Sequence, residues 1–266
     1  MPTLVVGMSE VKKVAAWPGK RGHGARCDSL MIYITTMGSV NQLLFVKRHA
    51  SELAGPFLEV GSKDYGNTQD LRSVFHGRGE YVGADIETGP GVDVTLDFTR
   101  PFAEVDSRLS GRRFGAIFCL SVMEHCTQPF AMAENLTRLL LQGGKLCISV
   151  PFAYQFHAYP SDFWRFTYEG VKVLFPRLQF DLKQGAAATS RTGEFKPLDK
   201  ELGKISFGSK WHRRQGHFLR GVVAKTLGLL GQIGILSWLA GYPYVMSPTE
   251  VMMIGTLPNE INSSPS

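Results

Sequence analysis

Acidic residues stand where apolar runs of this chain end, and their spacing gives the first chemical signal. The segment Glu59-Val60-Gly61-Ser62-Lys63-Asp64-Tyr65-Gly66 closes one such run and turns at Gly61. A glycine at a strand tip lets backbone approach a ligand closely. Asp85 ends the next run, 24 residues after Gly61, near the ~20 expected when a carboxylate takes ribose hydroxyls. Two carboxylate oxygens can accept from both vicinal hydroxyls at once. Asp97-Phe98 follows the alternating stretch Val92-Asp93-Val94-Thr95-Leu96. An acid there can accept from an adenine amino group while Phe98 packs on the ring, with Asp93 the rival for that role.

A second group of residues suits proton transfer. His125 follows the apolar run at 114–122, and an imidazole titrates near pH 6.5, within reach of a general base. Further on lies His157-Ala158-Tyr159-Pro160-Ser161-Asp162-Phe163-Trp164-Arg165-Phe166-Thr167. Here His157 or Asp162 is a candidate to orient or deprotonate an acceptor, with Tyr159 lining its pocket. The competing expectation is that Asp162 and Arg165 only brace the loop, with Phe163 and Trp164 in the core.

The elements that must position these groups alternate. Apolar stretches at 57–60, 81–86, 114–122 and 145–150 read as strands, and the fully hydrophobic third suits a parallel strand buried on both faces. Pro129 opens a helix whose Phe130, Ala133, Leu136 and Leu140 share a face, and Gly143-Gly144 stops it. Earlier, Val40, Leu43, Leu44, Val46, Ala50 and Leu53 recur at helical spacing behind a Ser39 N-cap. Strand–helix alternation predicts an α/β fold with a parallel sheet and right-handed crossovers. A nicotinamide dehydrogenase would need G-x-G-x-x-G at the first turn, and Gly61 and Gly66 do not supply it.

Composition bounds the rest. The 266 residues, 44% hydrophobic and 20% charged, suit one large globular domain. The net charge of +6 permits an anionic partner without naming one. Cys27, Cys119, Cys126 and Cys147 form no CxxC pair, so a reducing, cytoplasmic compartment is expected and no metal site. The stretch Leu4 to Met8 is too short for a secretory signal and precedes Lys12 and Lys13.

Taken in order, EVGSKDYG, YVGADIE, TLDFTRPF, FGAIFCLSVMEH and LLLQGGKLCISVPF resemble class I S-adenosylmethionine-dependent methyltransferases of the ubiquinone-biosynthesis-like type, over residues 57–155. The resemblance implies a Rossmann-like sheet of seven strands, the last antiparallel, helices on both faces, and S-adenosylmethionine over the carboxyl edge. By position, Glu59 and Gly61 would meet its methionine moiety, Asp85 and Ile86 the ribose and adenine edge, Asp97 and Phe98 the adenine. Leu120 would lie beneath it. The resemblance departs at Lys63, where such turns usually carry a second glycine, although Gly66 can restore the bend. The His157–Thr167 loop is similar to a pattern found in a subset of these enzymes, often ones near sugar-modifying genes.

The resulting expectation is methyl transfer to a small-molecule, sugar or lipid-linked glycan acceptor, most often at oxygen. A nucleic-acid or protein methyltransferase is the alternative, disfavoured because no Asn/Asp-Pro-Pro-Tyr type loop follows the fourth strand; nucleic acid is not the expected partner. A non-catalytic cofactor-binding scaffold is the third. The domain is expected at 39–258, behind an arm at 1–38 and ahead of a frayed tail at 259–266. With a sixth strand at 178–182 and a seventh at 250–257, a helical insertion occupies about 187–248 and must leave from the active-site edge. Its basic and then apolar stretch, 204–246, suits peripheral contact with anionic lipid, against the alternative of a helical hairpin packed on the domain or a second subunit.

Overall fold

The computed structural model describes residues 40–66, 70–157, 161–200 and 248–259, the helix at 218–232, and residues 202, 214 and 216. The arm at 1–38, Tyr159 and most of 204–246 lie outside the described residues.

Five parallel strands carry the site. They are β1 (Phe57–Val60), β2 (Tyr81–Asp85), β3 (Val94–Thr95), β4 (Phe114–Leu120) and β5 (Leu140–Pro151), arranged β3-β2-β1-β4-β5. The order reverses between β1 and β4, and ligands bind open α/β sheets at such a crevice. Phe57, Leu58, Ile117 and Phe118 are fully buried, as apolar strands covered on both faces should be. Helices α2 (Phe102–Arg108), α3 (Pro129–Leu139) and α4 (Tyr168–Leu174) cover one face. On the other lie α1 (Val40–His49) and a 3-10 turn at Arg72–Phe75. This is the Rossmann-like α/β fold expected, with helices on both faces.

The far side of the sheet differs from expectation in detail. Strand β9 (Glu250–Thr256) runs antiparallel beside β5. Its outer edge is paired by two pieces, β6 (Gln179–Phe180) and β7 (Ala186–Ala188), and β8 (Phe195–Lys196) adds a hairpin, so nine strands are described rather than seven. Phe180 faces Gly255 while Ala186 faces Met252, so six steps of this edge meet three of β9. The cause is a turn at Asp181, whose Oδ1 accepts from the Lys183 N–H at 2.9 Å and whose carbonyl accepts from Gln184 N–H at 3.0 Å. The sheet therefore holds the chain through β7 and β8 to Lys196, within the stretch of about 187–248 where a helical insertion is expected.

Helix α1 also turns a different face inward. Val40 is exposed, while Asn41, Gln42, Phe45 and Val46 are buried. Asn41 Nδ2 donates to the carbonyls of Thr189 and Arg191, each at 3.0 Å, and its Oδ1 accepts from Gly193 N–H at 2.6 Å. These bonds satisfy a buried amide that periodicity alone would assign to solvent.

Candidate functional site

The turn after β1 is held against the tip of β2. Gly61 N–H and Ser62 N–H both donate to the Ala84 carbonyl, at 2.8 and 3.2 Å. Gly61 has φ +75°, and a Cβ there would lie 2.5 Å from Val122 Cγ2, so the position requires glycine on two counts. Lys63 N–H reaches Asp85 Oδ2 at 3.2 Å, and Glu87 N–H reaches Oδ1 at 3.0 Å. The Lys63 ammonium also pairs with Glu87. Within the turn only Gly61 and Gly66 adopt positive φ, so the backbone accommodates Lys63 where the resemblance led one to look for glycine. Beside Asp85, Ile86 is 59% exposed, an apolar surface at the strand tip.

The remaining members of the expected cofactor set divide. Glu59 accepts from the Tyr81 hydroxyl at 2.8 Å, and burial pushes its carboxyl up to about 7. Leu120 is half-buried at the end of β4 and packs with the α1-side cluster. Asp93 is committed elsewhere, to Arg72 and to the Gly83 N–H at 2.7 Å. Asp97 is exposed, its Oδ1 taking the Thr99 N–H and hydroxyl at 2.8 and 2.7 Å. It borders a groove of about 640 Å³ beside α2 and α3, whose lining includes Arg100, Gln128 and Asn135 but neither Asp85 nor Ile86. Phe98 corrects the expectation outright: it is 3% exposed, packed in the core beneath α2 and α3, and presents no face to an adenine.

On the β4–β5 side the candidate proton-transfer residues meet. The 3-10 turn Met123–His125 carries Glu124 and His125. Three hydrogen bonds pin the His157–Thr167 loop to it. His125 Nδ1 donates to the Ser161 carbonyl at 2.6 Å, Phe163 N–H to the Glu124 carbonyl at 2.8 Å, and Trp164 Nε1–H to the Cys126 carbonyl at 2.7 Å. Asp162 accepts from the His157 N–H at 2.9 Å, lies 3.2 Å from His157 Nδ1, and takes both guanidinium nitrogens of Arg165. The guanidinium holds the Asp162 carboxyl well below the usual carboxylate range. A carboxylate so held is a poor base, and its geometry suits it to orient His157. The His125 and His157 rings stand 5.1 Å apart at 83°. Phe163 and Trp164 are exposed rather than core.

Burial lowers the pKa of His125, and pushes Glu124, 1% exposed, up to about 8. Glu124 was not singled out from the sequence, although an acid directly before His125 at the end of an apolar strand is the signal that marks it. A buried network was missed as well. Gln42 Nε2 lies within hydrogen-bond distance of Ser121 Oγ (2.6 Å), Ser149 Oγ (3.1 Å) and Glu250 Oε2 (3.0 Å), which share its two hydrogens beneath a Ser121 backbone at φ +54°.

No protein-family model matches the chain, and no curated protein matches it. Among solved structures, it is similar to an S-adenosylmethionine-dependent methyltransferase from Archaeoglobus fulgidus, at 12% identity, TM-score 0.49, covering 82% of this chain and 95% of that one. A putative methyltransferase from Bacillus halodurans gives 12% identity and TM-score 0.47 over 83% and 100% of the two chains. An N-methyltransferase from Bradyrhizobium japonicum gives 10% and 0.45 over 82% and 94%. The fold assignment rests on the strand order itself.

Proposed function

We propose that this chain is an S-adenosylmethionine-dependent methyltransferase acting on a small-molecule, sugar or lipid-linked glycan acceptor, preferentially at oxygen. The observation that carries the reading is the Asp85 carboxylate, fixed by two backbone amides between the Gly61 turn and the exposed Ile86. The residues fit the cofactor chemically: each Asp85 oxygen retains a lone pair for a ribose hydroxyl, Ile86 offers an apolar surface to the base, and Glu59 suits the methionine ammonium. Bound S-adenosylmethionine supplies an electrophilic methyl group. Across the crevice, His157, oriented by Asp162, and His125 suit holding or accepting the proton of an acceptor hydroxyl. Calorimetry with the demethylated cofactor tests the binding, and turnover across an acceptor panel tests the reaction. No detectable binding by the unmodified chain removes the proposal, while binding without turnover on any acceptor favours a scaffold.

We propose also that 204–246 contacts an anionic lipid surface peripherally. Helix α5 (Phe218–Gln232) exposes Phe218, Leu219, Val222, Val223 and Leu229 on one side, with Arg214 and Lys225 exposed nearby in sequence. Among the described residues no helix is long and apolar enough to cross a membrane. Co-sedimentation with anionic vesicles should be salt-sensitive and weakened by substituting Lys210, Arg213 and Arg214. Absence of any salt-sensitive binding refutes the contact.

A further inference from the structure

Glu124, His125 and His157 each place a potential ligand atom within 4.8 Å of the others'. Glu124 and His125 are neighbours in the post-β4 turn, and His157 is brought to them by the bonds that pin the post-β5 loop to that turn. The Glu124 side chain is buried, and its Oε2 has no hydrogen-bond partner. Its other oxygen stands 3.9 Å from His125 Nε2, too far for a hydrogen bond and close enough to share a third atom between them. An unpaired buried carboxylate oxygen costs free energy unless something completes it.

The imidazoles are prepared in the manner of metal ligands. His125 uses Nδ1 on the Ser161 carbonyl, which leaves Nε2 with its lone pair. His157 Nδ1 donates to the Gln155 carbonyl at 3.3 Å and lies 3.2 Å from the Asp162 carboxylate, itself fixed by Arg165. A carbonyl or carboxylate behind a histidine sets its tautomer and raises its basicity toward a cation. Access is open from one side, since the His125 and His157 side chains are 16% and 28% exposed.

From this geometry we infer that Glu124, His125 and His157 form a site for one divalent transition-metal cation. Two nitrogens and one carboxylate suit zinc, iron(II) or manganese(II), whereas calcium and magnesium favour all-oxygen sets. Three protein ligands leave at least one position for an exogenous oxygen. If the methyl-transfer reading holds, that position would take the acceptor hydroxyl and make it more acidic, its proton leaving to solvent, because His125 and His157 as ligands would position the acceptor and no longer serve as bases; binding of the cation itself does not depend on that reading.

The test uses cobalt(II) as probe on the chelator-treated full chain without cofactor. One equivalent should bind, with the visible d–d absorption of a nitrogen- and oxygen-ligated ion. His157→Ala and Glu124→Gln should each abolish that signal while far-ultraviolet circular dichroism stays unchanged. Asp162→Asn, which alters the group behind His157, should weaken binding about 10–100-fold. No stoichiometric uptake by the unmodified chain overturns the site, as does uptake that survives both His157→Ala and Glu124→Gln. Failure here with demethylated cofactor still bound strikes the metal site and leaves the methyl-transfer reading standing.

Discussion

The backbone N–H of Lys63 donates to the Asp85 carboxylate across 3.2 Å, tying the turn after β1 to the tip of β2. The Glu87 N–H holds the other oxygen at 3.0 Å, so the acid is positioned before any ligand arrives. Preorganisation of this kind spares a ligand the cost of ordering the group that recognises it.

Asp85→Ala should therefore weaken the demethylated cofactor by about 10–100-fold, the range for hydrogen bonds to a charged group. Asp85→Asn, which retains one acceptor oxygen, should fall between this and the unmodified chain. Calorimetry measures both. An unchanged dissociation constant for Asp85→Ala removes the ribose role.

Glu59 makes the same binding pH-dependent. Burial raises its carboxyl from 4.5 to about 7 in the folded chain. Between those values the folded state holds a proton that the unfolded state releases, so stability should decline as pH rises through the window. A ligand ammonium favours the ionised form, so cofactor affinity should run the other way and be about tenfold weaker at pH 6 than at pH 8. Glu59→Gln should flatten both profiles. A slope that persists in that variant assigns it to another group.

Gly61 and Gly66 separate steric from conformational demand. Both have positive φ, but a Cβ at Gly61 meets Val122 at 2.5 Å, whereas one at Gly66 meets nothing within 4 Å among the described residues. Gly66→Ala should cost about 1 kcal/mol from backbone strain alone, and Gly61→Ala about 2–3 kcal/mol from strain plus the clash. Denaturant midpoints give the comparison, and equal losses would mean that Val122 yields without cost.

What the sequence made legible follows the range of the interactions involved. The tips of β1 and β2 were readable because a parallel strand is a continuous apolar run and its end is marked locally, by Gly61 and Asp85. Phe98 misled because aromatic character does not say which way a side chain points; the core under α3 took it. Gln42 was unreadable for a deeper reason. Its partners lie 79, 107 and 208 residues away, so nothing near it in sequence shows that burying its amide is compensated. Glu124 is similar: adjacency to His125 was visible, but the meeting with His157 depends on a loop folding back from β5. The Asp181 turn, by contrast, has a local cause and was still passed over, because strand-forming residues on both sides hid it.

Asp162 supplies a test that distinguishes the two sides of the crevice. It is locked to Arg165 and bonded to His157, whereas Asp85 is held by the Lys63 and Glu87 amides and Glu59 by the Tyr81 hydroxyl. Asp162→Asn removes the charge behind His157 while keeping the shape of the side chain. Its effect should fall on the acceptor step: kcat lower by about 10–100-fold, with the dissociation constant for the demethylated cofactor within about twofold of the unmodified chain. The loop should also loosen, since Arg165 loses its counter-charge, and limited proteolysis near residues 155–165 should become faster. An equal loss in cofactor affinity would mean that the loop shapes the cofactor pocket itself. An unchanged kcat would place His157 and its partner outside the chemistry altogether.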